Sequence, residues 1–150
     1  MKRLTLTILL SLCAACLCGA AGKDDGLKEL NKVLSVLPDH RVEADYSFKI
    51  MQGDVPVLFS GHATLQSGYF RISGNGLEIY CNGNSISYLD FEAKEVYVDS
   101  AQMLEDYIRT NMNSIADLKV ENVRTNEPSD DISIFTVPTL DDSWVVTDLR

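Results

Sequence analysis

The spacing of apolar residues changes along the chain, and each change of period marks an element. Leu27, Leu30, Val33 or Leu34, and Leu37 recur at helical spacing, with Lys28, Glu29, Asn31 and Lys32 on the other face. This predicts an amphipathic helix capped by Asp24 or Asp25 and ended by Pro38, because the residue before a proline is pushed out of the α region. A helix with one apolar stripe must pack on something larger. From Val42 the period becomes two: Val42, Ala44, Tyr46, Phe48 and Ile50 point one way and Glu43, Asp45, Ser47 and Lys49 the other, the pattern of a half-buried antiparallel strand.

Gln52-Gly53-Asp54 turns the chain into a second strand, Val55 to Leu65, in which Pro56 fits only at the start or on an edge. Gly68 breaks it. Short strands follow at Tyr69 to Ser73, Leu77 to Cys81, Ser85 to Leu89 and Val96 to Asp99. The Asn-Gly pairs in Gly74-Asn75-Gly76 and Asn82-Gly83-Asn84 supply the positive φ angles that tight hairpins require, so these strands form a meander. After Ser100 the helical period returns, with Met103, Leu104, Tyr107, Ile108 and Met112 on one face of a second amphipathic helix. Leu118 to Val123, Ile132 to Val137 and Trp144 to Leu149 read as closing strands, with a polar loop over Asn126 to Asp131.

The scheme is α+β and mainly antiparallel β. A long twisted antiparallel sheet with two helices to cover it tends to curl, which predicts a curled meander forming an incomplete β-barrel covered by two helices as plug or lid. Its apolar concave side either fills with side chains or holds an apolar guest.

The N-terminus changes the picture of where this domain works. Lys2 and Arg3 precede an apolar run from Leu4 to about Cys18, and small residues stand at Gly19, Ala20 and Ala21. Residues 1–21 therefore read as a signal peptide and 22–150 as one folded, exported domain. The run is shorter than the roughly 20 apolar residues that span a bilayer. Cys13, Cys16 and Cys18 fall in the leader, so the mature chain keeps only Cys81 and forms no internal disulfide. An alternative processing acylates Cys16, after Ala14-Ala15, and gives an outer-membrane lipoprotein; Cys13 stands where such sites usually carry Leu.

Composition is ordinary for a globular domain, at 45% hydrophobic and 23% charged, but the charge is lopsided. The leader holds two of the 13 basic residues and none of the 22 acidic ones, leaving a mature chain with 11 basic groups. Without a Lys/Arg run after residue 3, this excludes nucleic acid as a partner, disfavours anionic membrane surfaces and favours a soluble monomer.

Catalytic chemistry finds few candidates. Cys81 with His62 is the sole thiol-base pairing, and a lone strand cysteine is usually a small hydrophobe. His40, His62 and Cys81 are too few and too scattered for structural zinc. Asp24-Asp25, Asp130-Asp131 and Asp141-Asp142 lack the alternating spacing of a calcium loop and read as caps and solvated loops. Gly74-Asn75-Gly76 leads into no helix, so it is a turn and not a phosphate cradle. A binding protein without cofactor or metal, and not an enzyme, is the expectation.

The runs Gly68-Tyr69-Phe70-Arg71-Ile72, Leu77-Glu78-Ile79-Tyr80-Cys81-Asn82-Gly83-Asn84-Ser85-Ile86-Ser87-Tyr88-Leu89-Asp90 and Glu95-Val96-Tyr97-Val98 are similar to the "F-R-W" and "l-W-x-Y-d" strands of a known family. With the opening helix, the Tyr46-Ser47-Phe48 strand and the closing Val146, Asp148, Leu149 and Arg150, the chain resembles a shortened, Bacteroidetes-type member of the LolA-like lipoprotein carriers. The resemblance implies a half-barrel whose hollow shields the acyl chains of lipoproteins, or a related lipid, on the way to the outer membrane. It implies envelope membrane proteins that load and receive the cargo. The hollow would be lined by Tyr46, Phe48, Ile50, Phe59, Phe70 and Ile72, with Met103, Tyr107 and Ile108 on the lid. Gln66-Ser67-Gly68 stands where the family places a basic residue and a proline, and the region after the second helix is shorter, which implies a smaller hollow. The alternative is a lipid-anchored receptor-like protein or a non-transport interaction module of the envelope.

Overall fold

The computed structural model describes residues 25–52, 54–101 and 115–150. The leader, Asp24, Gly53 and the segment expected to form the second helix lie outside the described residues. Helix α1, Asp25–Val36, is followed by β1 (Arg41–Gln52), β2 (Val55–Gln66), β3 (Tyr69–Gly74), β4 (Leu77–Cys81), β5 (Ser85–Asp90) and β6 (Glu95–Ser100). After residues 102–114 come β7 (Ile115–Asn126), a single 3-10 turn at Ser133–Phe135, and β8 (Val145–Asp148). The strands form one open eight-stranded sheet in the order β7-β1-β2-β3-β4-β5-β6-β8, antiparallel throughout except for β6 with β8. The expected meander of β1 to β6 is present. So is the α+β class, with one helix among the described residues.

Register explains which side chains meet. Phe48 lies opposite Phe59, Val42 opposite Leu65, Phe70 opposite Cys81, Ile72 opposite Ile79 and Ile79 opposite Tyr88. Alternation then places all of these on one face, here the inner face. They form a continuous apolar cluster fed by β1 to β5, by Leu118 of β7 and by Leu30 and Val33 of α1. The helix comes unusually close to β7: a Cβ on Gly26 would stand 1.8 Å from the Leu118 carbonyl oxygen, so only glycine fits there.

β7 is irregular. Its pairing with β1 shifts register twice, between Glu43 and Asp45 and between Ser47 and Lys49. Asp117 (φ 54°) and Asn122 (φ 52°) take the left-handed conformation within the matching stretches of β7. Such bulges twist an edge strand away from further pairing.

One expectation for the C-terminal region is corrected: Ile132 to Val137 is not a strand. Trp144 to Leu149 contributes the expected closing strand, which runs parallel to β6. The cause is the path taken. β7 ends beside the start of β1, with Asn126 opposite Arg41, and the chain then crosses the outer face diagonally to reach the start of β6. Arg41 and Gln66 clamp this strap: Arg41 donates to the Asp131 carbonyl (3.0 Å), Gln66 donates to the Ser129 carbonyl (2.9 Å), and Ser129 N–H donates back to Gln66 (3.1 Å). Phe135, fully buried, sits under the Arg41 guanidinium and beside the Tyr69 ring. Further on, Val137, Leu140 and Trp144 pack on Tyr80, Leu89 and Val96, making a second, smaller core on the outer face.

Two substitutions test this packing by chemical denaturation. Phe135→Ala is expected to destabilise the protein by about 3–5 kcal/mol through the cavity it leaves; a change within error would mean that the strap is not docked. Gly61→Ala is expected to cost about 1–3 kcal/mol, since its Cβ would stand 1.8 Å from the Ser73 carbonyl oxygen.

Candidate functional site

The structure collects all six residues expected to line the hollow. Tyr46, Phe48 and Ile50 alternate inward along β1, Phe59 faces Phe48 from β2, and Phe70 and Ile72 continue the surface on β3. The Phe48 and Phe59 rings stack with centroids 5.5 Å apart, and Tyr46 extends the stack at 6.0 Å. Tyr46 occupies a particular niche: its partners across β2 and β3 are Gly61 and Gly74, so its ring has room to reach the Ser73 carbonyl, to which its hydroxyl donates (3.3 Å). All six are buried, Phe48 completely. The lid residues Met103, Tyr107 and Ile108, and Met112 with them, lie outside the described residues. The residues on either side of that segment, Ala101 and Ile115, both pack against the inner cluster.

Alternation alone left other members of this surface unassigned. Leu77, Ile79 and Cys81 of β4 and Ile86 and Tyr88 of β5 belong to the same cluster. Their outer face mixes Glu78 and Ser87 with Tyr80 and Leu89, which serve the outer core, so apolar character alone does not separate the inward set and cross-strand register does. Toward β6 the inner-face positions turn acidic, at Asp90, Glu95 and Asp99 in register with Leu77, Asp90 and Ile86. Tyr97 donates to the Glu95 carboxylate there (2.7 Å).

The thiol and the imidazole do not meet. Cys81 points inward opposite Phe70, whereas His62 lies opposite Asp45 and Ser73 on the outward-facing row. Burial pushes the Cys81 thiol up, the reverse of what a nucleophile needs. His62 instead contacts Asp45 through Nδ1 (2.9 Å), and Asn122 donates to the second Asp45 oxygen (2.7 Å), tying β2, β1 and β7 together. These two contacts, led by that with His62, hold the Asp45 carboxyl below its ordinary value.

On the same face Arg71 donates to both oxygens of Glu78 (3.2 Å each) and lies over the Tyr80 ring, whose hydroxyl also donates to Glu78. Burial and the Glu78 carboxylate push the Tyr80 phenol up to about 12. The acidic pairs act as loop acceptors: Asp131 takes the Ser133 N–H (2.9 Å) and Asp141 the Ser143 N–H (2.8 Å). Among the described residues no group of three His, Cys, Asp or Glu side chains is arranged to hold a metal.

A recess of about 640 Å³ opens elsewhere, where the start of α1 meets the β7 edge. Gly26, Ser47, Lys49, Leu58, Asp117 and Lys119 are among its lining residues, and the Lys49–Asp117 ion pair (2.8 Å) lies in it. It is open, lined by charged and apolar side chains together, and none of the six inward residues lines it. One sheet face therefore assembles a continuous apolar cluster, and the other carries hydrogen-bonded polar networks beside a smaller apolar core. No protein-family model matches the chain, and no curated protein matches it significantly.

Two expected outcomes follow from these environments. Cys81 should resist a thiol reagent in the native protein and react fully once the protein is unfolded; fast native labelling would show the inner face open to solvent. Because the Asp45 carboxyl is lowered in the folded state, its contribution to stability is complete above the unfolded value near 3.8 and is lost as pH falls through the lower folded value. Asp45→Asn should thus shallow the loss of stability below about pH 4 in acid titrations followed by circular dichroism. An unchanged acid limb would remove Asp45 from the acid response.

Proposed function

We propose that this protein is a periplasmic carrier of the LolA-like type that holds the acyl chains of lipoproteins, or a related lipid, against the inner face of its sheet and passes them toward the outer membrane. One observation carries the reading: a single apolar cluster runs across the inner faces of β7 and β1 to β5. Each buried CH₂ is worth about 0.8 kcal/mol, so such a surface retains an acyl chain without covalent chemistry or a cofactor. The outward-facing His62 and inward-facing Cys81 fit a binding role better than a catalytic one.

Connectivity supports a movable cover. The chain leaves β6 and re-enters the sheet at β7, six positions away across the strand order. A flat sheet would separate those strands by about 29 Å, whereas the helix the sequence predicts between Ala101 and Ile115 would extend about 21 Å. In this reading the sheet would curl to close that gap, and the helix expected from the sequence, with Met103, Tyr107 and Ile108, would serve as the lid. The cargo's loading and receiving partners would be envelope membrane proteins that open this cover.

The complete burial of Phe48 favours a second reading, in which the inner face is a filled core and the protein is an interaction module of the envelope. Native mass spectrometry of the protein, produced with its own leader in an exporting bacterium and released gently from the envelope, separates the two. A mass starting near Gly22 with heterogeneous acyl-bearing adducts is the expected result. A bare mass would leave the interaction module, and a diacylglyceryl increment on a chain starting at Cys16 would make it a lipid-anchored, receptor-like protein.

A further inference from the structure

The β1–β2 hairpin outruns its neighbours. β3 pairs with β2 only as far as Gly61 with Gly74, and β7 pairs with β1 only as far as Ile115 with Ile50. Among the described residues, β1 and β2 beyond these points are paired only with each other, through Met51 with Pro56 and Gln52 with Val55. This projecting end carries large apolar side chains in solvent, Met51 at 58% exposed and Val55 at 63%, and Leu58, two pairs back opposite Lys49, is 56% exposed. Met51, Pro56 and Leu58 share the outer face by register, with Lys49 opposite Leu58, and Val55 occupies the inner one opposite Gln52, so exposed apolar side chains stand on both sides of the ribbon.

Two further features narrow what can cover it. Within residues 50–58 Asp54 is the only charged side chain, in a chain whose net charge is −9. The backbone edge is also closed. Pro56 offers no N–H, and the Asn75 side chain takes the place of a neighbouring strand by accepting from Ser60 N–H (3.0 Å) and donating to the Leu58 carbonyl (3.3 Å). Strand addition by a peptide is thereby blocked.

We propose that the β1–β2 tip is a membrane-contact element that dips into the interfacial zone of an electrically neutral bilayer. A docked protein surface would cover one face of the ribbon, whereas a fluid apolar medium receives both faces together. The ribbon keeps outward-facing backbone groups at its edges, so the contact is confined to the interfacial zone, where water still reaches them. Near-neutrality lets this end, in an otherwise acidic molecule, approach zwitterionic headgroups without the repulsion an anionic surface would exert. The inference goes beyond the carrier reading and does not depend on what the inner face holds.

The test places an environment-sensitive fluorophore on Val55→Cys in the exported protein, where buried Cys81 is spared from labelling. Vesicles of phosphatidylcholine and phosphatidylethanolamine should shift the emission to the blue, while the same probe on Val146→Cys, at the exposed β8 edge, stays unchanged. Adding Met51→Ser and Leu58→Ser, both at exposed positions, should weaken vesicle binding at least about tenfold with an unaltered circular dichroism spectrum. A Val55 probe that stays in a polar environment overturns the proposal. So does an equal response at Val146, or binding that appears only when anionic lipid is added. The signal arises at the tip, so an acyl anchor elsewhere on the chain or an empty inner face does not mimic it.

Discussion

The stacked pair Phe48 and Phe59, directly opposed across β1 and β2, is the contact around which the inner face is organised. A one-residue slip between these strands would turn Val42, Tyr46, Phe48 and Ile50 away from Phe59, Ala63 and Leu65, so register and burial enforce each other. The demand then propagates outward. β3 must present Phe70 and Ile72 at the same level, and the cluster must be capped at the β7 side, where α1 inserts Leu30 and Val33. Gly26 is part of that solution, because the helix reaches the edge only by passing within contact of the Leu118 carbonyl.

Much of this order was legible in the chain. The period-two run from Val42 to Ile50, the Asn-Gly turns and Pro38 each have one local physical reading, and α1 with β1 to β6 follow it. Positive φ at Asn75, Gly76 and Gly83 is what those turn residues are chosen for. The C-terminal third resisted for a different reason. Ile132 to Val137 has the composition of a strand, yet it runs across the outer face of the sheet and not along an edge. The segment buries Phe135 against Tyr69 and Arg41 on the outer face instead, a contact between residues far apart in sequence that no local pattern encodes. The parallel direction of β8 is set by the same strap.

The candidate site shows the same division. The inward residues on β1 to β3 could be named from alternation because their strands have one polar face, while β4 and β5, buried on both sides, hid Ile79 and Ile86 among Tyr80 and Leu89. The Asp45–His62–Asn122 network was also invisible, since Asn122 arrives only through a bulge in β7. Outer-face polarity is thus not mere solvation: it joins three strands at the edge where pairing is irregular, and Lys49 with Asp117 does the same one bulge along.

The strap has a kinetic consequence. β1 to β6 join by adjacent hairpins and can form from short-range encounters, but Arg41 finds Asn126 and Phe135, and β6 finds β8, only after nearly the whole chain is present. Such late, long-range closures slow folding and leave the meander incompletely covered until the end of synthesis. The strap thus acts as a final latch, and the sheet is locked into shape only once its last residues have emerged.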